Sequence, residues 1–387
     1  MSPARKPKAA PAPAPLLPAT TPRLVLKIGS SLLVDADGKL REDWLASVAE
    51  DVAAARAKGQ QIVIVSSGSI ALGARRLGLK KGGRASLEDA QAAAAVGQVA
   101  LAAAWSRVLE AQGLKVAQIL LTLDDLELRR RFLNASATID RLLALGVVPV
   151  LNENDTVATG EIRFGDNDRL AARTAHAAGA DGVLLLSDVA GLMTGNPKTD
   201  PKARLIRHVP AINAEIEAMA SGGSGSGMGT GGMAAKLVAA RMASAVGINL
   251  AIADGRAPHP LARHQSGEPC TIFSPRRSKK VKALGRKVWI AGRQRVNGRI
   301  IIDEGAVAAI RRSKSLLAAG VTAVEGKFAR GDVVAVHGPE GPIGRGVIGY
   351  DATDARAIMG KRNDEQSEIL GYAARAALIH SDHLVLL

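Results

Sequence analysis

The chain has 387 residues, 47% hydrophobic and 22% charged, a composition that excludes an intrinsically disordered protein and leaves room for two domains of roughly 150 residues each. A single cysteine, Cys270, excludes an intramolecular disulfide and fits a reducing, cytoplasmic compartment. No uninterrupted apolar run approaches the roughly 20 residues of a membrane span, and the net charge of +15 turns attention to anionic ligands.

Residues 1–22 carry seven prolines, with Arg5, Lys6 and Lys8 as the only charges, and read as a disordered tail without the apolar core of a secretory signal. From Arg23 onward, strand and helix signals alternate. RLVLKIG is a short apolar strand, and Glu42 to Lys58 carries a helical stripe of Leu45, Val48, Ala49 and Val52 that stops at Gly59. QIVIVSSG is a second buried strand. Ser86 and Asp89 form a capping pair ahead of a long alanine-rich helix ending at Gly113. KVAQILL, VVPVLNEND, DGVLLLSD and INLAIADG follow as strands, separated by helices over Arg130 to Leu145, over Asp168 to Ala178, and from about Met233. Repeated βα units with short loops predict a mostly parallel sheet between helices, an α/β fold.

Polar residues collect where these strands end: Lys27 and Gly29, Ser66 to Ser69, Asn152 to Asp155, Ser187 with Asp188, and Asp254. Each is also an ordinary turn residue or helix cap. Taken together they mark the edge at which open α/β sheets bind ligands. Between the fifth and sixth strands runs SGGSGSGMGTGGMAAK, Ser221 to Lys236. A glycine-rich run that enters a helix and ends in a lysine aims backbone N–H groups at a phosphate, whereas an isolated run of this kind is a flexible linker. Its segment Ser221 to Gly229 is expected to be loose until nucleotide arrives. No GxxxxGK[ST] occurs, so nucleotide binding would lie outside the P-loop class.

Composition changes after Cys270. Arg276 to Arg299 holds ten Lys and Arg and no acid, reading as a basic linker over residues 276–298 or as a surface for an acidic partner. Beyond it, GDVVAVHG, GPIGRGVIGY and HLVLL are short β runs, with a helix near Thr353 to Met359, so residues 299–387 form a small, mostly β domain.

The strand-end stretches occur in a recognisable order: VLKIGSSLL from Val25, IVIVSSGSIALG from Ile62, AAVGQ from Ala94, QILLT from Gln118, RFLNA from Arg131, VPVLNENDTVAT from Val148, FGDNDRLAA from Phe164, LLLSDVAGL from Leu184 and GMGTGGMAAK from Gly227. Over residues 23–275 this pattern resembles the amino acid kinase family. The C-terminal segment is similar to a PUA domain through Asp303 to Ala306, Ser315 to Gly320 and Val324 to Asp332. The resemblance implies transfer of the γ-phosphoryl of ATP, with Mg²⁺, to the side-chain carboxylate of glutamate, the first step of proline biosynthesis. It implies Lys27 and Lys236 as the cations on the transferred group and Asp168 as the aspartate that holds them. Ser67, Asp155 and Asn167 match the family's substrate binders. Ser187 and Asp188 match its adenosine contacts, and Thr230, Gly231, Gly232, Met233, Ala234, Ala235 and Lys236 its phosphate cradle. No protein metal ligand is implied. Proline as a feedback inhibitor, a homodimer or homotetramer, and glutamyl phosphate reductase as a partner follow from the same resemblance. Two alternatives stay open: another acceptor, such as aspartate, acetylglutamate, carbamate or a nucleoside monophosphate, and an RNA-binding or RNA-modifying protein acting through the PUA-like domain.

Overall fold

The computed structural model describes residues 16–35, 38–157, 166–196, 199–220, 231–274, 296, 298–375 and 377–386. The chain divides into two compact units, residues 1–127 with 135–277, and residues 128–134 with 278–387. The expected basic linker and Ser221 to Thr230 of the glycine run fall largely or wholly outside the described residues.

The first unit is built on an eight-stranded sheet. In chain order its strands are β1 (Arg23–Ile28), β2 (Gln61–Ser66), β3 (Val116–Leu121), β4 (Val148–Glu153), β5 (Gly182–Ser187), β6 (His208–Val209), β7 (Asn249–Asp254) and β8 (Thr271–Phe273). Their spatial order is β3-β4-β2-β1-β5-β7-β8-β6, parallel throughout except for the antiparallel pairing of β8 with β7. Continuous apolar runs such as GVLLLS in β5 are buried at every position, as expected of strands covered on both faces. The covering helices include α1 (Ser30–Leu33), α2 (Glu42–Ala57), α3 (Ser69–Arg76), α4 (Leu87–Glu110), α5 (Leu123–Glu127), α6 (Arg129–Ala144), α7 (Asp166–Ala177), α8 (Ala214–Ala220), α9 (Gly231–Ala245) and α10 (Pro260–Gln265). α2 buries Leu45, Val48, Ala49 and Val52 and ends before Gly59, whose φ of +82° suits a residue without Cβ. The Ser86 hydroxyl accepts the Asp89 N–H at 3.1 Å and caps α4, as its sequence predicts.

Two helices meet at backbone contact. A Cβ on Gly97 of α4 would lie 2.7 Å from the amide nitrogen of Gly73 in α3 and 2.7 Å from the carbonyl carbon of Ser69. A Cβ on Gly73 would in turn lie 2.8 Å from the amide nitrogen of Gly97. Both glycines are therefore required by close approach, and the contact fixes where α3 begins.

The structure corrects one expectation. The last part of the expected disordered tail is packed: Leu16 is 2% exposed, its N–H donates to Nε2 of the buried His264 at 3.1 Å, and Gln60 Nε2 donates to the Thr21 carbonyl at 2.8 Å. Its proline-rich composition concealed a short anchored arm. By length and mean hydropathy alone, α4 would pass as a membrane-crossing helix, although polar residues interrupt its apolar stretch. Here that apolarity serves packing, with Leu101, Trp105 and Leu109 in the core.

The second unit holds a five-stranded sheet of order β10-β9-β11-β12-β13, from β9 (Gly298–Ile302), β10 (Val321–Gly326), β11 (Val333–Gly338), β12 (Gly341–Val347) and β13 (Leu384–Leu386). Pairing is antiparallel apart from β9 with β11. Ile300, Ile302, Val334, Val336, Ile348 and Tyr350 form its core. The expected helix spans Ala352–Ala357 and is capped by Asp351, which accepts the N–H groups of Thr353 and Asp354.

Candidate active site

β1 lies where the chain reverses direction across the sheet, with β2, β4 and β3 to one side and β5 and β7 to the other. Such a switch point leaves a crevice beyond the strand ends. Register sets its floor: Ile28 pairs with Ser66 on one side and Leu186 on the other, so Gly29, Ser67 and Ser187 emerge side by side. A cavity of about 400 Å³ opens there, bounded by all three and by Asp155, Asp168 and Lys236.

Three charged side chains converge at its base. Lys27 at the end of β1, Asp168 in the first turn of α7 and Lys236 in α9 are 6%, 1% and 9% exposed. The Lys27 ammonium lies 2.6 Å from Asp168 Oδ1 and the Lys236 ammonium 3.1 Å from Oδ2, so one carboxylate holds two cations. Burial lowers the Lys27 pKa, partly countered by Asp168 and reinforced by repulsion from Lys236. For Asp168, burial alone would raise the pKa, yet the two ammonium groups bring it below the usual carboxylate value. A Cβ on Gly29 would sit 3.7 Å from the Lys27 ammonium, so glycine leaves open the space directly above that cation.

The opposite wall is polar and uncharged at its core. Gly68, with φ of +105°, turns the chain out of β2 into α3 and exposes the Ser67 hydroxyl. Asn167 donates from Nδ2 to Ser67 Oγ at 2.9 Å, while its Oδ1 is buried without a protein partner among the described residues. That oxygen is an acceptor available to a ligand's N–H groups. Beneath this wall, Gln98 Oε1 accepts from Asn152 Nδ2 at 2.7 Å, Asn152 Nδ2 also reaches Ser69 Oγ at 3.3 Å, and Ser69 donates to Asp155 Oδ2 at 3.4 Å. Trp105 Nε1 donates to Ser66 Oγ at 2.9 Å from the other side. α4 thus supports the site through Gln98, Trp105 and the Gly97 contact. Ser187 donates to Asp188 at 3.1 Å at the mouth.

The structure therefore brings together Lys27, Asp168, Lys236, Ser67, Asn167, Asp155, Ser187, Asp188 and Gly232 around one cavity. Met233, Ala234 and Ala235 do not line it, and Thr230 lies outside the described residues. Sequence reasoning gave no role to Gln98, Trp105 or Arg84. Gln98 was visible as a polar residue within an apolar helix, whereas Trp105 had no signal because its partner lies 39 positions away.

Residues 22–254 match the profile of the amino acid kinase family and residues 298–370 that of the PUA domain. The chain belongs to the amino acid kinase family. Within it, the relatives at high identity are glutamate 5-kinases. That of Sphingopyxis alaskensis is 58% identical over 96% of this chain and 99% of its own, and that of Zymomonas mobilis is 57% identical over 96% and 92%. The glutamate 5-kinase of Novosphingobium aromaticivorans is 55% identical over 95% and 97%. Among solved structures, an isopentenyl phosphate kinase superposes with a TM-score of 0.43 at 18% identity, over 65% of this chain and 100% of that one.

Proposed function

We infer that this chain transfers the γ-phosphoryl group of ATP to the side-chain carboxylate of glutamate, yielding glutamyl 5-phosphate and ADP in proline biosynthesis. The observation that carries the reading is the pair of buried ammonium groups on Asp168 at the sheet's switch point, in a chain so similar to glutamate 5-kinases. A glutamate carboxylate with an ordinary pKa near ~4.3 is already ionised at neutral pH and needs no general base. The barrier lies in bringing one anion to another and in the charge that spreads over the transferred phosphoryl oxygens. Lys27 and Lys236, set in place by Asp168 before substrate arrives, neutralise that charge from two sides without reorganising.

In this reading Ser67, Asn167 and Asp155 hold the amino acid, with the Asp155 carboxylate facing its ammonium group. Ser187 and Asp188 meet the adenosine end, and Thr230 to Lys236 cradle the phosphates. Mg²⁺ accompanies the nucleotide and supplies further neutralisation of the β- and γ-phosphates. Asp168 has both oxygens engaged by lysines, so the ion would come with the nucleotide and not be held by this carboxylate. An oligomer of identical chains is supported by Val99 of α4, 70% exposed on an apolar helix, and by Leu120 on the edge strand β3. Proline as end-product inhibitor, glutamyl phosphate reductase as recipient of the labile acyl phosphate and a cytoplasmic location complete the reading. RNA binding by the second unit, for which its PUA domain is the support, is a property additional to the kinase activity.

ADP release coupled to NADH oxidation, measured with glutamate, aspartate, acetylglutamate, carbamate and a nucleoside monophosphate as separate acceptors, tests the proposal. Turnover with glutamate alone is the expected result. Turnover with any of the others but none with glutamate would overturn it.

A further inference from the structure

Charge balance in the cavity points to a substrate contact not yet assigned. An amino acid brings two head-group charges, an ammonium and a carboxylate on the same carbon. Asp155 suits the first, but Lys27 and Lys236 are committed to Asp168 and to the phosphoryl side. Among the described residues that line the cavity, the third cation is Arg84, which lies there with Gly82 and Asp155.

Arg84 sits in the turn between α3 and α4, and its backbone is fixed from both sides. Gly83 before it has φ of +74° and is wedged so closely between the helices that a Cβ there would lie 2.9 Å from the Ala74 Cβ and 3.1 Å from the Ala93 Cβ. Two residues after it, Ser86 caps α4. Arg84 as a whole is exposed, but its side chain is partly shielded from water, which lowers its pKa, and the charge of the Asp155 carboxylate acts against that effect. A guanidinium remains charged under such conditions and presents a planar fork that matches a carboxylate.

We propose that Arg84 binds the α-carboxylate of the amino acid substrate, forming with Asp155 a complementary pair that recognises the zwitterionic head group. The inference rests on glutamate as the acceptor. Before substrate binds, the two side chains offset each other's charge. On binding, each exchanges its neighbour for the opposite charge on the substrate, so no charge is left uncompensated. The side-chain carboxylate is thereby the only one left free to face the lysines, which selects the position of phosphorylation.

The test uses Arg84→Met, Arg84→Lys and 4-aminobutyrate, which keeps the ammonium and the reacting carboxylate of glutamate but lacks the α-carboxylate. In Arg84→Met the KM for glutamate should rise about 10- to 100-fold, the worth of a charge-assisted hydrogen bond, with the effect in KM rather than in kcat or the KM for ATP. Arg84→Lys should recover part of the loss. The inhibition constant of 4-aminobutyrate against glutamate should be no higher in Arg84→Met than in the parent, because that ligand brings no carboxylate for Arg84. An unchanged KM for glutamate in Arg84→Met overturns the proposal, as does an equal weakening of 4-aminobutyrate, which would mean that the arginine shapes the whole pocket. Failure of the parent protein to phosphorylate glutamate would instead refute the activity itself.

Discussion

Gly97→Ala puts one methyl group into the contact between α3 and α4 and pits two physical effects against each other. Helix propensity alone favours alanine over an interior glycine by about 1 kcal/mol. Against this, the new Cβ would stand 2.7 Å from two backbone atoms of α3, closer than real Cβ contacts come, and backbone cannot rotate away as a side chain can. Overpacking of this kind costs about 1–3 kcal/mol net, so thermal unfolding of the first unit should fall by about 2–10 °C. The functional effect is larger. α3 starts at Ser69, whose hydroxyl reaches Asp155 and Asn152, and a displacement on the order of 1 Å at a substrate-positioning group can lower turnover about 100-fold. Differential scanning fluorimetry and kcat/KM for glutamate measure both consequences. Ala103→Gly on the exposed side of α4 is the control, with a modest loss of stability and parental kcat/KM. A Gly97→Ala protein that melts higher than its parent with unchanged kcat/KM would refute the argument.

Asp168→Asn leaves two buried ammonium groups without their common counter-charge, and kcat should drop about 100- to 1000-fold; a value within tenfold of the parent would refute the electrostatic role of the carboxylate. Lys236→Ala should lose turnover to a similar extent with its circular dichroism spectrum retained, and parental turnover would remove it from the chemistry. Burial lowers His264 from 6.5 to about 4, so the unfolded chain binds a proton more readily than the folded one between those values. The stabilisation is complete above pH 6.5 and should be lost by about 3 kcal/mol as pH falls to 4. Urea unfolding of the parent and of His264→Gln at pH 7 and 4.5 checks this, and an identical pH dependence in both would refute it.

The central strands of the first sheet were legible because strands covered on both faces must be apolar at every position, a pattern short enough to read in RLVLKI and GVLLLS. The two lysines and Asp168 were legible only through the order of motifs along the chain, since nothing local distinguishes Lys27 from a surface lysine at a strand end. α3 escaped notice because it opens on a left-handed glycine and carries a second glycine inside, both of which resemble loop signals until the contact with α4 is seen. Leu16 was hidden by the prolines around it. β10 was missed as a strand because five of its six residues face solvent or are only partly buried. Arg84 belongs to KKGGR, a charged turn that reads as solvated surface, and its place on the cavity wall depends on the wedge at Gly83, which no sequence pattern announces.

The shared carboxylate of Lys27 and Lys236 also bears on how this protein is handled. At the base of the pocket two ammonium groups share one carboxylate, and the charge of Lys236 disfavours that of Lys27. Any small oxyanion relieves that repulsion, whether or not it reacts. Inorganic phosphate and sulfate are therefore expected to bind the folded state, to raise its apparent stability by mass action and to compete with the nucleotide. A melting temperature should then rise with phosphate concentration, and the KM for ATP should rise with it.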